Sequence, residues 1–267
     1  MVDFENKPVY GMCDLKKIMK LLRGPGGCPW DSEQTHESIR RNLLEEAYEA
    51  AEAIDGGGRE ELIEELGDVL MQVLFHAEIA EEAGSFNLDD IADATCKKLI
   101  RRHPHVFGDV TAPDSTVSLS FWDEAKRGEK RQDTTAEAMR SVARSLPSLW
   151  MAEKIQQKAA KDGFDWPECS GAMNALKSEA AELEEAISLE RDIEGEIGDV
   201  LFSAVNVARF CGVDAEQALR NSCDKFISRF SALEKSAQES GRELRGMALE
   251  EMEELYIKAK ENEPRRG

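Results

Sequence analysis

The strongest constraint on this chain is an internal duplication. Glu65-Leu66-Gly67-Asp68-Val69-Leu70-Met71 returns as Glu196-Ile197-Gly198-Asp199-Val200-Leu201-Phe202, an offset of 131 residues. Upstream, Glu46-x-x-Glu49 matches Glu179-x-x-Glu182 at an offset of 133. Downstream, Lys98-Leu99-Ile100-Arg101-Arg102 matches Lys225-Phe226-Ile227-Ser228-Arg229 at 127, and Trp122-Asp123-Glu124-Ala125-Lys126 matches Tyr256-Ile257-Lys258-Ala259-Lys260 at 134. Cys28-Pro29-Trp30 has a weaker echo in Phe164-Asp165-Trp166. Four blocks in one order at nearly constant offset point to a unit that folds twice. The expected boundaries are 1–128 for the first repeat, 129–145 for a polar linker and 146–267 for the second repeat.

The repeated unit reads as helical. Aromatics make up 6% of the chain and β-branched runs are scarce, while Ala, Glu, Leu, Lys, Met and Arg dominate. From Ser38 to Ala53 an apolar stripe runs through Ile39, Leu43, Leu44, Ala47 and Ala50 to Ile54, with charges on the opposite face. Asp31-Ser32 is the expected N-cap region of that helix, and Gly56-Gly57-Gly58 ends it. A second helix is expected from Glu60 to Ala83, stopped by Gly84, and a third over about Leu88–Arg102, stopped at His103-Pro104. The fold class is therefore all-α, with two tandem helical bundles.

Charge and composition exclude several functions. With 34 Lys and Arg against 54 Asp and Glu, the formal charge is −20, which argues against a nucleic-acid polymer as partner. At 41% apolar the chain can bury a core. Its longest apolar run, Val69–Phe75, is far shorter than the ~20 residues of a membrane helix, and no secretory leader is visible, so no membrane is expected. Six scattered cysteines (13, 28, 96, 169, 211 and 223) form no Cys-x-x-Cys pair, which fits reduced thiols and a cytoplasmic location.

The duplicated blocks carry the chemistry. Carboxylates three residues apart share a helical face, and two such helices packed antiparallel aim four carboxylates at one point. These are Glu46, Glu49, Glu65 and Asp68 in the first repeat, and Glu179, Glu182, Glu196 and Asp199 in the second. An all-oxygen set suits Mg²⁺, with Mn²⁺ as a substitute. Asp68 and Asp199 each lead into an apolar run and are expected near the core, where a metal offsets the cost of the buried charge. Lys98 with Arg102, and Lys225 with Arg229, place two cations on one face, as a polyphosphate requires. Trp122 and Tyr256, each four residues before a lysine (Lys126 and Lys260), are placed either to stack on a base or to anchor a helix in the core.

Other signals carry less. Gly24-Pro25-Gly26-Gly27 lacks the Gly-Lys-Ser/Thr of a phosphate loop and reads as a turn, and His103-Pro104-His105 reads as a helix end. A di-iron bundle needs Glu-x-x-His motifs from two helices, and only Glu33-x-x-His36 fits. A non-catalytic acidic helical dimer that binds metal or protein is the alternative to an enzyme.

The motifs Gly27-Cys28-Pro29-Trp30-Asp31, Gln34-Thr35-His36, Leu44-Glu45-Glu46-x-x-Glu49, Glu65-Leu66-Gly67-Asp68, Arg101-Arg102-His103-Pro104-His105-Val106-Phe107 and Trp122 resemble the MazG family of nucleoside triphosphate pyrophosphohydrolases. Gly163-Phe164-Asp165-Trp166, Glu196-Ile197-Gly198-Asp199 and Val205-Asn206-x-Ala208-Arg209 are similar to its C-terminal repeat, and the resemblance runs from about Leu15 to Lys260. It implies a homodimer and Mg²⁺-dependent hydrolysis of NTPs and dNTPs to the monophosphate and pyrophosphate. Glu179, Glu182, Glu196 and Asp199 match the family's metal ligands, and Lys225, Arg229, Tyr256 and Lys260 its nucleotide contacts. The corresponding first-repeat contacts are Lys98, Arg102, Trp122 and Lys126. The second repeat departs from the pattern at Ala175, Ser178 and Tyr256, where lysine, glutamate and tryptophan are usual. The first keeps Glu45, the candidate to orient or deprotonate the attacking water, with Glu46 and Glu179 as the adjoining catalytic carboxylates. Which repeat is active stays open.

Overall fold

A computed structural model describes residues 4–129 and 134–262 and divides the chain into two units, 1–129 and 130–267. The first contains α1 (Met12–Arg23), α2 (Pro29–Glu33), α3 (Arg40–Gly56), α4 (Arg59–Glu82), α5 (Leu88–Arg102), α6 (Pro104–Phe107) and α7 (Ser115–Glu129). The second contains α8 (Thr135–Arg140), α9 (Ser148–Lys161), α10 (Cys169–Leu189), α11 (Ile193–Phe210), α12 (Ala215–Glu239) and α13 (Leu249–Glu261). The described residues contain no strand, and none of their helices is long and apolar enough to cross a membrane.

The helix ends follow local chemistry. Gly57 closes α3 in the left-handed region at φ 71°, and Gly84 follows α4 at φ 65°. Asn87 caps α5 by accepting from the backbone N–H groups of Asp89 and Asp90, while the Asp90 carboxylate accepts from the Asn87 N–H at 2.9 Å. Two expectations are corrected. Asp31 and Ser32 do not cap α3; they lie inside α2, which starts at Pro29 because proline suits the first turn of a helix. The segment 129–145 is not a plain connector: residues 130–133 lie outside the described residues, and Thr135–Arg140 forms α8, capped by the Thr134 side chain and packed on α9.

In the first unit Met19 of α1, Ile39, and Leu74 and Phe75 of α4 form the core, with Leu15, Leu70, Met71, Ile79 and Leu88 packed against it. Arg23 is buried beside it, its guanidinium 5.2 Å from the Phe75 ring centroid. The Gly24–Gly27 turn needs its last glycine, because a Cβ at Gly27 would lie 2.2 Å from the Leu21 carbonyl oxygen. The apolar stripe expected on α3 is only partly buried within the unit. Ile39 and Ala50 are enclosed, whereas Leu44, Ala47 and Ile54 are exposed. The second unit has few large enclosed side chains, chiefly Val205 and Leu233, and leaves Ile187, Ile197, Leu201 and Phe202 exposed.

Candidate metal and nucleotide site

In the first unit α3 and α4 form an antiparallel hairpin through Gly57 and Gly58, so Glu46 and Glu49 of α3 face Glu65 and Asp68 of α4. One carboxylate oxygen from each of Glu46, Glu49 and Glu65 lies within 4.8 Å of the others. Burial, followed by the charges of Asp68 and Glu49, pushes the Glu46 carboxyl above the ordinary carboxylate range. Burial, then Glu49, Glu64 and Asp68, does the same to Glu65. Asp68 joins the cluster through its field and is half-buried, as expected for a residue leading into the apolar half of α4.

The second unit repeats the arrangement on α10 and α11. Here Glu179, Glu196 and Asp199 bring one oxygen each within 4.8 Å of one another. Glu179 is raised by burial and then by Glu182, Asp199 and Glu196. Glu196 is raised by burial and then by Glu182 and Asp199. Glu182 stands outside the close triple, accepting from the Ser178 hydroxyl at 3.1 Å. Asp199 is exposed, correcting the expectation that it sits near the core; Ile197 and Leu201 beside it on α11 are exposed too, so this stretch of the helix is little covered within the unit. Each hairpin thus gathers three oxygen donors whose mutual repulsion a hard divalent cation would relieve, so the donor chemistry fits Mg²⁺ or Mn²⁺.

Glu45 is not in the cluster: its exposed carboxylate accepts from Arg41 Nε at 2.7 Å. Ser178 occupies the matching position in α10.

The expected cationic and aromatic residues meet within each unit. Arg102 lies 4.8 Å from the Trp122 ring centroid, and Arg229 lies 5.9 Å from that of Tyr256. Arg102 is buried and already paired, donating from Nε to Glu129 at 3.0 Å with a second contact through Nη2. The Glu129 carboxyl is held down at about 2, first by the Arg102 hydrogen bond and further by Arg101. Trp122 is half-buried, with His103 edge-on at 5.1 Å, and Tyr256 tilts against Phe226 at 5.8 Å. Both aromatics thus pack against a neighbouring helix of their own unit. Lys98 and Lys126 are half-buried, whereas Lys225 and Lys260 are exposed. His103 ends α5 as expected, its Nδ1 2.7 Å from the Leu99 carbonyl oxygen.

Three features escaped the sequence reading. His36 and His76 stack with parallel rings and bring their Nδ1 atoms to 2.8 Å, and His76 Nε2 is buried without a hydrogen-bond partner. In the second unit a cavity of about 410 Å³ is lined by Gln156, Phe164, Asp165, Trp166, Asn206 and Arg209 among others. Gln156 there donates to the Phe202 carbonyl at 2.8 Å while its own Oε1 is buried without a partner. Cys169 and Cys211 place their sulfurs 3.9 Å apart. Spacing could not reveal these pairs, because residues about 40 positions apart meet only through a hairpin whose turn length is unknown in advance.

The description of the MazG nucleotide pyrophosphohydrolase domain fits this chain twice, over residues 34–107 and 169–232, each stretch spanning one carboxylate hairpin. The nucleoside triphosphate pyrophosphohydrolase/pyrophosphatase MazG of Thermotoga maritima is 43% identical over 247 residues, covering 92% of this chain and 94% of that protein. The nucleoside triphosphate pyrophosphohydrolase of Escherichia coli K12 is 41% identical over 254 residues, covering 93% of this chain and 97% of that one. Bacillus subtilis YabN is 45% identical over 253 residues, and the match covers 52% of that longer protein. With two domain matches, two carboxylate hairpins and the Thermotoga maritima and Escherichia coli proteins aligned over nearly their whole length, this chain belongs to the MazG family.

Proposed function

We propose that this protein is a nucleoside triphosphate pyrophosphohydrolase that converts NTPs and dNTPs to the nucleoside monophosphate and pyrophosphate. The observation that carries the reading is the recurrence of a three-carboxylate cluster in both hairpins, each followed by a helix bearing a Lys and an Arg one turn apart. In the first unit Glu46, Glu49, Glu65 and Asp68 would hold the cation, and in the second Glu179, Glu182, Glu196 and Asp199. When bound, Mg²⁺ or Mn²⁺ supplies neutralisation of the triphosphate charge and polarises the phosphorus under attack. Glu45 orients the attacking water and takes its proton, a role that requires it to leave Arg41. Attack at the α-phosphorus expels pyrophosphate. Lys98, Arg102 and Lys126 offset the charge of the leaving group, with Lys225, Arg229 and Lys260 as their second-unit counterparts. A polyphosphate competes with Glu129 for Arg102, and Trp122 or Tyr256 stacks on the base.

A second copy of the chain is the proposed partner of the apolar faces left open. Leu44, Ile54, Ile63 and Leu66 on the first hairpin are each more than 40% exposed, which a folded monomer seldom sustains in one region.

The test is product analysis with each NTP and dNTP in the presence of Mg²⁺. Monophosphate plus pyrophosphate is the expected result, whereas diphosphate plus phosphate, or no turnover, rejects the reading. Glu46→Gln and Asp68→Ala against Glu179→Gln and Asp199→Ala then assign the active repeat: the pair that lowers turnover 100-fold or more marks the working site.

A further inference from the structure

We propose that Cys169 and Cys211 form a redox-responsive dithiol whose intrachain disulfide staples the open end of the α10–α11 hairpin. The two residues lie 42 apart in sequence, and helix lengths bring them together. Cys169 is the first residue of the 21-residue α10, and Cys211 caps the 18-residue α11. The turn between the helices, with Glu190 and Asp192 both at φ 50°, folds them back with nearly equal reach. Their sulfurs are 3.9 Å apart, so closing to the roughly 2 Å of a disulfide requires an approach of about 2 Å.

A second link already joins the same two segments. Arg209, two residues before Cys211, donates to both oxygens of Asp165 at 3.0 and 2.5 Å and also to Asn206 Oδ1. Asp165 and Arg209 line the 410 Å³ cavity together with Phe164, Trp166 and Asn206. A disulfide four residues beyond Asp165 therefore fixes the wall of that cavity, whatever ligand it takes.

The two thiols differ in accessibility, which orders the chemistry. Cys211 is exposed and Cys169 half-buried, and burial raises the Cys169 thiol. The Cys211 thiolate attacks one sulfur of a low-molecular-weight disulfide, breaking its S–S bond and releasing one small thiol. Cys169 then loses its proton to solvent and attacks the Cys211 sulfur of the mixed disulfide, expelling the second small thiol. Two protein thiols are oxidised by two electrons, and the small disulfide is reduced to two thiols.

The experiment treats the full chain with glutathione disulfide and maps peptides without reduction. The expected product is a single cross-linked peptide pair joining Cys169 to Cys211, at least tenfold over any pairing with Cys13, Cys28, Cys96 or Cys223. Amide exchange in residues 164–171 and 206–213 slows on oxidation, and the unfolding midpoint of the second unit rises by roughly 5–10 °C. Cys211→Ser abolishes the cross-link and the shift. Cys169→Ser leaves a persistent glutathione adduct on Cys211. A glutathione adduct on Cys211 that persists while Cys169 is present, or cross-links spread evenly over the six cysteines, overturns the proposal.

Discussion

Replacing Arg23 by Met tests how the first unit holds the segment that leads into α3. The Arg23 side chain is only 3% exposed and spans three parts of the fold. Its Nη1 donates to the carbonyl oxygens of Asp31 at 2.5 Å and Gln34 at 3.2 Å, at the end of α2, while Nε and Nη2 reach both oxygens of Glu82 on α4. Met retains much of the aliphatic contact over Phe75 and removes every donor. A hydrogen bond from a charged donor contributes about 1.5–3 kcal/mol, so the two carbonyls left without it account for most of the loss. The Glu82 side chain is 41% exposed and regains water, so its share is about 0–1 kcal/mol. The expected destabilisation is about 3 kcal/mol, with Arg23→Lys near half of that because one ammonium cannot serve both carbonyls and the carboxylate. Urea-dependent amide exchange in α1 and α4 reads this unit by itself, independent of the other. A loss below about 1 kcal/mol for Arg23→Met would refute the assignment of Arg23 as the tie between α1, α2 and α4.

Two further outcomes concern pH. Glu129 falls from an ordinary 4.5 to about 2 in the folded chain, so its contribution is complete above 4.5 and disappears as pH falls through about 2. Glu129→Gln should therefore lower the neutral-pH unfolding midpoint and flatten the acid limb of its pH profile; an unchanged acid limb argues against the Arg102 pairing. For His76, burial first and then His36 push the imidazole below its ordinary 6.5, so the unfolded chain takes up the proton more readily. Stability of the first unit should hold above 6.5 and decline as pH drops below it, with a smaller decline in His76→Gln; an equal fall in the urea midpoint from pH 7 to 5.5 in wild type and variant would exclude the histidine pair as the cause.

The duplication, the helical class and the membership of each carboxylate face were legible in the sequence, because they depend on short-range geometry. A spacing of three residues puts Glu46 beside Glu49 on any α-helix, and the run Gly56-Gly57-Gly58 ends α3 because Gly57 accepts the left-handed backbone. The third helix, expected over about Leu88–Arg102, was legible for the same reason, and the structure has it at Leu88–Arg102. Which carboxylates converge was decided by the turn joining two helices. Asp68 and Glu182 stand beside their triples, while Glu49 and Asp199 complete them. The unit's packing also determined that Asp199 is exposed, that Arg102 is held by Glu129, and that half of the α3 stripe stays uncovered. Periodicity names the apolar face of a helix and leaves unstated what lies against it. The contacts between His36 and His76 and between Cys169 and Cys211 belong to tertiary structure alone, since no local rule links residues some 40 positions apart until both arms of a hairpin have their lengths.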